Sequence, residues 1–106
     1  MTDERRRRLA RNEAAFRALN ERAQDVTEEL AFDGVIDMPD LAECVCECAD
    51  PGCAAELRVS RADFERARSD AATFIVARGH ELPEIERVVY ESDGFSIVEK
   101  DPSLPV

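Results

Sequence analysis

Residues 44–53 read Cys44-Val-Cys46-Glu-Cys48-Ala-Asp50-Pro-Gly-Cys53, and this decapeptide holds all four cysteines of the 106-residue chain. Pro51-Gly52 is turn chemistry that folds the loop back on itself, so Cys46, Cys48 and Cys53 converge on one point. Structural zinc is bound by four Cys or His ligands in a tetrahedron, which leaves this set one ligand short. The single histidine, His80, follows the β-prone run 73–77, and Gly79 before it lets the backbone turn. The spacing Cys-x-Cys-x4-Cys-x26-His predicts a structural Zn2+ site of Cys46, Cys48, Cys53 and His80. Such a site joins the loop to the strand and closes a small domain. In an extended segment Cys44 points to the same side as Cys46 and Cys48, so an all-cysteine site of residues 44, 46, 48 and 53 is the alternative. Four ligands within ten residues crowd a tetrahedron, and Cys44 otherwise faces the core as a small hydrophobe. With no metal, the thiols are left for redox exchange or simply buried.

Outward from the loop, residues 3–30 contain no Gly or Pro and are dominated by Ala, Arg, Glu and Leu, which predicts one long helix. Leu9, Phe16, Ala23 and Leu30 recur every seven residues, with Asn12, Leu19 and Val26 between them. This narrow heptad stripe either docks on the chain's own domain or forms a coiled coil, through residues 9–30, with a protein partner or a second copy. Asn12 at a seam position is a register device in that second reading. Phe32-Asp33-Gly34 ends the helix, and residues 32–43 read as a linker. After the cysteines, residues 54–59 suggest a short strand, and Ser60-Arg-Ala-Asp63 a capping box opening a short helix over 61–69. A second strand covers 73–77. Asp93-Gly94 is a two-residue turn signal. The expected hairpin sets Tyr90 opposite Ile97, Val89 opposite Val98 and Val88 opposite Glu99, while a helix over 83–91 is the competing reading. The tail, 101–106, is expected to be flexible. The expected fold is thus α+β: an amphipathic helix (1–31), a linker, and a small zinc-knuckle domain (44–100) with a short helix and an antiparallel sheet or hairpin.

Charge narrows the function. Residues 1–30 balance seven Arg against seven acids, so the formal net charge of −10 lies in residues 31–106. An acidic domain repels phosphate backbones, so nucleic acid is an unlikely partner. The run Arg5-Arg-Arg-Arg8 reads as a solvated helix start. No apolar run approaches membrane-spanning length, and the charged N-terminal residues lack the apolar stretch of a signal peptide. The expected location is the cytoplasm, where clustered cysteines favour metal or redox chemistry over disulfides.

Cys46-Glu-Cys48-Ala-Asp50-Pro-Gly-Cys53, Asp63-Phe64-Glu-Arg-Ala-Arg68, Phe74-Ile-Val76-Ala-Arg-Gly79-His80-Glu81, Glu86-Arg-Val-Val-Tyr-Glu91 and Val98-Glu-Lys100 together carry a resemblance. Over residues 46–100 the chain resembles a family of small uncharacterised bacterial proteins frequent in high-GC actinobacteria. The resemblance implies Cys46, Cys48, Cys53 and His80 as the site. The chain departs from the pattern at Cys44, where an apolar residue is usual, and at Arg78, where Pro is usual.

These features predict a small acidic zinc-binding protein whose helix serves protein interaction or regulation. A thiol or metal redox sensor using the same cysteines, or a [2Fe-2S] protein, is the alternative. Catalysis is not expected: there is no Gly-rich phosphate loop and no second His for a nucleophile–base pair. A closed four-ligand site also has no open position for a substrate.

Overall fold

The computed structural model describes residues 3–53 and 55–104. Helix α1 (Asp3–Phe32) is followed by strands β1 (Leu41–Val45) and β2 (Glu56–Ser60), helix α2 (Arg61–Arg68), and strands β3 (Thr73–Val76), β4 (Glu86–Glu91) and β5 (Ser96–Lys100). The fold is α+β, a long N-terminal helix on a small domain with one short helix and antiparallel sheets. β1 and β2 form a two-stranded antiparallel ribbon, and β3, β5 and β4 form a three-stranded sheet in the order β3-β5-β4.

The ribbon follows from period-two patterning. Ala42 and Cys44 on β1, and Leu57 and Val59 on β2, point inward while their neighbours face out. β1 therefore begins inside the segment expected as linker over 32–43, which leaves only 33–40 as connection. Its alternation was present in Leu41-Ala-Glu-Cys-Val but is too short to stand out without β2 beside it. Ser60 caps α2, its hydroxyl accepting from the Asp63 amide at 3.1 Å, as the capping signature implies. α2 buries Phe64 and Ala67 against the ribbon and β3. All four residues of β3 are buried.

The hairpin of β4 and β5 forms, with Tyr90 opposite Ile97 as expected. Beyond that pair the register shifts by one at a β-bulge: Val88, not Val89, lies opposite Val98, and Arg87, not Val88, lies opposite Glu99. The shift has a physical reason. It sets buried Glu86 opposite buried Lys100, whereas the unbulged register would set it opposite Asp101, a second carboxylate. The residue left over, Val89, is exposed.

The tail expected to be flexible over 101–106 is anchored as far as residue 104. Asp101 accepts from Arg6 at 2.9 Å, and Leu104 is buried with Ala10 and Ile85 in a small second core. Residues 105–106 lie outside the described residues. Arg5, too, reaches the domain, 3.5 Å from Glu84, so part of the basic run pairs with acidic neighbours rather than solvent.

α1 packs on β1 and β3 through a face that hydropathy does not single out. Its buried residues are Ala10, Glu13, Asn20 and Gln24. The heptad stripe is split: Leu9 and Phe16 are half-buried, whereas Leu19, Ala23, Val26 and Leu30 are exposed. Asn12, expected as a register device, donates instead to the Ala49 carbonyl at 3.0 Å.

Candidate metal centre

The site lies where the end of β1, the loop after it, and the turn after β3 meet. Cys46 N–H donates to the Ala55 carbonyl and Glu47 N–H to the Ile75 carbonyl, both at 2.8 Å, so the start of the loop is stitched to two other segments. At the far end Asp50 builds the turn. Its side chain accepts from the Gly52 amide at 2.8 Å and its carbonyl from the Cys53 amide at 3.0 Å. On the other side of the site, Gly79 takes φ +84° and the His80 amide donates to the Ala77 carbonyl at 3.0 Å. That left-handed residue, which Gly adopts without a Cβ penalty, swings the imidazole back toward the cysteines.

One ligand atom each from Cys46, Cys48, Cys53 and His80 lies within 4.8 Å of all the others. His80 Nδ1 is 3.5 Å from Cys53 Sγ and 3.7 Å from Cys46 Sγ. Zinc held at about 2.3 Å from sulfur and about 2.0–2.1 Å from nitrogen sets those atoms about 3.6 Å apart in a tetrahedron. The chain therefore presents a Cys3His group spaced for one metal ion. Cys44 is not part of it. It is buried on β1 with its sulfur 3.9 Å from the Ala42 carbonyl, and burial pushes its thiol up to about 12. It is a core side chain of the ribbon.

Burial also raises Cys46, against the amide hydrogen bonds it accepts from Ala77, at 3.1 Å, and from Cys48. Cys48 is pushed up to about 12, again chiefly by burial, with an opposing hydrogen bond from the Asp50 amide. Amides aimed at sulfur favour the thiolate form, the form that binds metal. Cys53 is half-buried and His80 exposed, so the site closes at the surface on that side.

Glu47, between two of the cysteines, turns the opposite way. It is buried, and its carboxylate accepts from Asn20 Nδ2 at 2.7 Å and from the Ile75 amide at 2.9 Å. Burial lifts its pKa to about 7, with those two donors opposing. The same Asn20 donates to the Val45 carbonyl at 2.8 Å and accepts from the Val45 amide at 2.9 Å, pairing with β1 as a neighbouring strand does. Gln24 adds a bond to the Glu43 carbonyl at 3.2 Å. α1 thus covers the open edge of β1 with side-chain amides, and through Glu47 it grips the loop between the metal-facing cysteines. Neither role is visible in the sequence, where nothing in the local pattern marks Asn20 or Glu47 as buried.

A second buried polar cluster lies under the first half of α1. Glu13 meets Glu86 of β4 and Lys100 of β5. Burial, then the proximity and negative charge of Glu86, push the Glu13 carboxyl far above the usual range, and neither Glu13 oxygen has a hydrogen-bond partner among the described residues. Lys100 Nζ sits 4.5 Å above the Phe74 ring and 3.4 Å from the Ala10 carbonyl.

Beside the site, α1, the cysteine loop and the turn at His80 enclose an open groove of about 600 Å3. Its charged lining comprises Arg5 and Arg8 with Asp50 and Glu81, beside His80. Among the described residues, no helix is long and apolar enough to cross a membrane. Comparison of the chain with protein-family models, with curated proteins and with solved structures finds no match.

Proposed function

We propose that the chain is a zinc-stabilised protein-interaction module. Zn2+ held by Cys46, Cys48, Cys53 and His80 closes the domain, and the exposed half of α1 is offered to a protein partner. The observation that carries the metal half is the mutual approach of three thiol sulfurs and one imidazole nitrogen within 4.8 Å. Two of the three sulfurs are buried, and the fold brings His80 across from another element to complete the set. A closed set of four ligands makes the site structural, and its binding energy becomes folding energy. Iron–sulfur ligation is disfavoured by the same spacing, because a two-iron cluster splits its ligands between separate irons and spreads them further than one ion does. Redox sensing is disfavoured by burial of the Cys46 and Cys48 thiols, which leaves only Cys53 partly open to oxidants.

The interaction half rests on the exposure of Leu19, Val26 and Leu30 on a helix whose opposite face is docked. The test of the metal half is elemental analysis of purified wild type beside His80→Ala. One zinc per chain in the wild type, colourless in visible absorbance and lost or sharply weakened in the variant, is the expected result. Iron in its place, or full zinc retention in His80→Ala, overturns this ligand set.

A further inference from the structure

The undocked face of α1 is apolar in a continuous row. Leu19 is 59% exposed and Val26 47%, with Ala23 between them and Leu30 one turn on, the spacing of a coiled-coil seam. The row does not stop at the helix end. Gly34 takes φ +77°, its amide donates to the Ala31 carbonyl at 3.1 Å, and the Val35 amide donates to the Leu30 carbonyl at 2.9 Å. That pair of bonds is a Schellman closure, which turns Val35 back beside Leu30. Val35 is itself 66% exposed and Phe32, on the last turn, 92%. Scattered exposed apolar residues are ordinary, but a row of this kind marks an interface.

The charges flanking the row identify what fits it. Arg22 and Glu29 lie seven residues apart on one flank, both exposed, and neither has an ion pair among the described residues. The other flank, Asn20 and Thr27, is neutral and turned toward the domain. We propose that the row is the contact surface for a second copy of this chain, paired antiparallel about a two-fold axis between Gln24 and Asp25. In that arrangement Leu19 packs on the partner's Leu30, Ala23 packs on the partner's Val26, and Arg22 meets the partner's Glu29. Each contact occurs twice, so the interface is self-complementary and closes. Parallel pairing sets Arg22 beside the partner's uncharged Thr27 and forms no such ion pair. The antiparallel arrangement also separates the two acidic bodies. The buried contacts of each body with its helix lie between Ala10 and Gln24, with ion pairs reaching out to Arg5 and Glu28, whereas the row is centred past Gln24, so the bulk of each body falls at the opposite end of the pair. The inference names the partner left open in the reading above, and rests on it for the folded, zinc-loaded module.

Light scattering or sedimentation on the full chain over a dilution series is the test, with zinc measured on the same fractions. The expected wild type has the mass of two chains. Val26→Glu is expected to run as a monomer that keeps its zinc, since residue 26 touches neither the metal loop nor the docked face. Arg22→Glu and Glu29→Arg each turn two attractive contacts into like-charge contacts and should weaken pairing about tenfold, and the double variant should recover it. Three results overturn the pairing: a zinc-loaded wild type that is monomeric throughout, a dimer that survives Val26→Glu, or a double variant no better than the singles. A zinc-free dimer overturns the metal reading instead and leaves the pairing standing, so the two failures are told apart.

Discussion

The position most exposed to test is Asn20, because the docking of α1 rests on it. Its amide makes three bonds, two to Val45 and one to Glu47, all between 2.7 and 2.9 Å, from a side chain that is 4% exposed. Asn20→Ala removes all three and leaves their partners behind. Stranding a buried polar group costs about 1–3 kcal/mol, more when it is charged. The Val45 groups lie at a ribbon edge that water can partly reach, so each belongs at about 1 kcal/mol. The Glu47 carboxylate is buried and retains only the Ile75 amide, so it belongs at about 2 kcal/mol. The expected loss is therefore about 4 kcal/mol, a large share of the about 5–15 kcal/mol that holds a domain together. For a chain of this size that lowers the melting temperature by about 15 °C or more. Asn20→Asp should do at least as much damage, since it sets a second carboxylate against Glu47. The assay is thermal unfolding of zinc-loaded protein by circular dichroism, with Arg11→Ala, an exposed position on the same helix, as control. If Asn20→Ala melts within about 3 °C of that control, where surface changes stay within about 0.5 kcal/mol, then α1 is not held by this amide and the docking described here is wrong.

Three further outcomes follow. Glu13 takes up a proton on folding, because its folded-state pKa stands above its unfolded one. Its contribution is therefore complete below the unfolded pKa and is lost as pH rises above it. Glu13→Gln is neutral at every pH, so its advantage over wild type in urea unfolding should grow between pH 5 and pH 7.5 by up to about 1.4 kcal/mol per pH unit, and a gap that is flat or inverted refutes the raised pKa of Glu13. Cys44→Val should keep one zinc per chain and change stability by less than about 1.5 kcal/mol, because it replaces a core side chain of similar size outside the ligand group. Chelation at neutral pH should lower the melting temperature of the wild type by more than about 10 °C and be reversed by zinc, since the proposed structural ion would contribute several kcal/mol of folding energy, whereas an unchanged melt leaves no structural role for a metal.

The cysteine loop could be read directly because its chemistry is local. Three thiols within eight residues, bent by Pro51-Gly52, call for a fourth donor, and the chain offers His80, its one histidine, or Cys44. Cys46, Cys48, Cys53 and His80 were assigned on that ground and are the group that the fold brings together. The capping of α2 by Ser60 and the turn at Asp93-Gly94 were legible for the same reason, since each is settled by neighbours along the chain. What could not be read is the placing of polar residues inside. Asn20, Gln24, Glu13 and Glu47 carry the pattern of a solvated surface, and hydropathy turns them outward.

Sequence by itself determined the elements whose energies are local: the long helix, the bent thiol loop and its histidine, the cap and the hairpin turn. Tertiary structure decided which side of α1 is inside and which register β4 adopts. Both depend on partners far along the chain, the open edge of β1 for Asn20 and Gln24, and Lys100 for Glu13 and Glu86. A polar side chain is at home in water until a buried partner of matching geometry is offered, and no residue reveals that partner before the chain has folded. The outcome is a helix docked through its amides, with the second half of the heptad stripe, from Leu19 to Leu30, facing out.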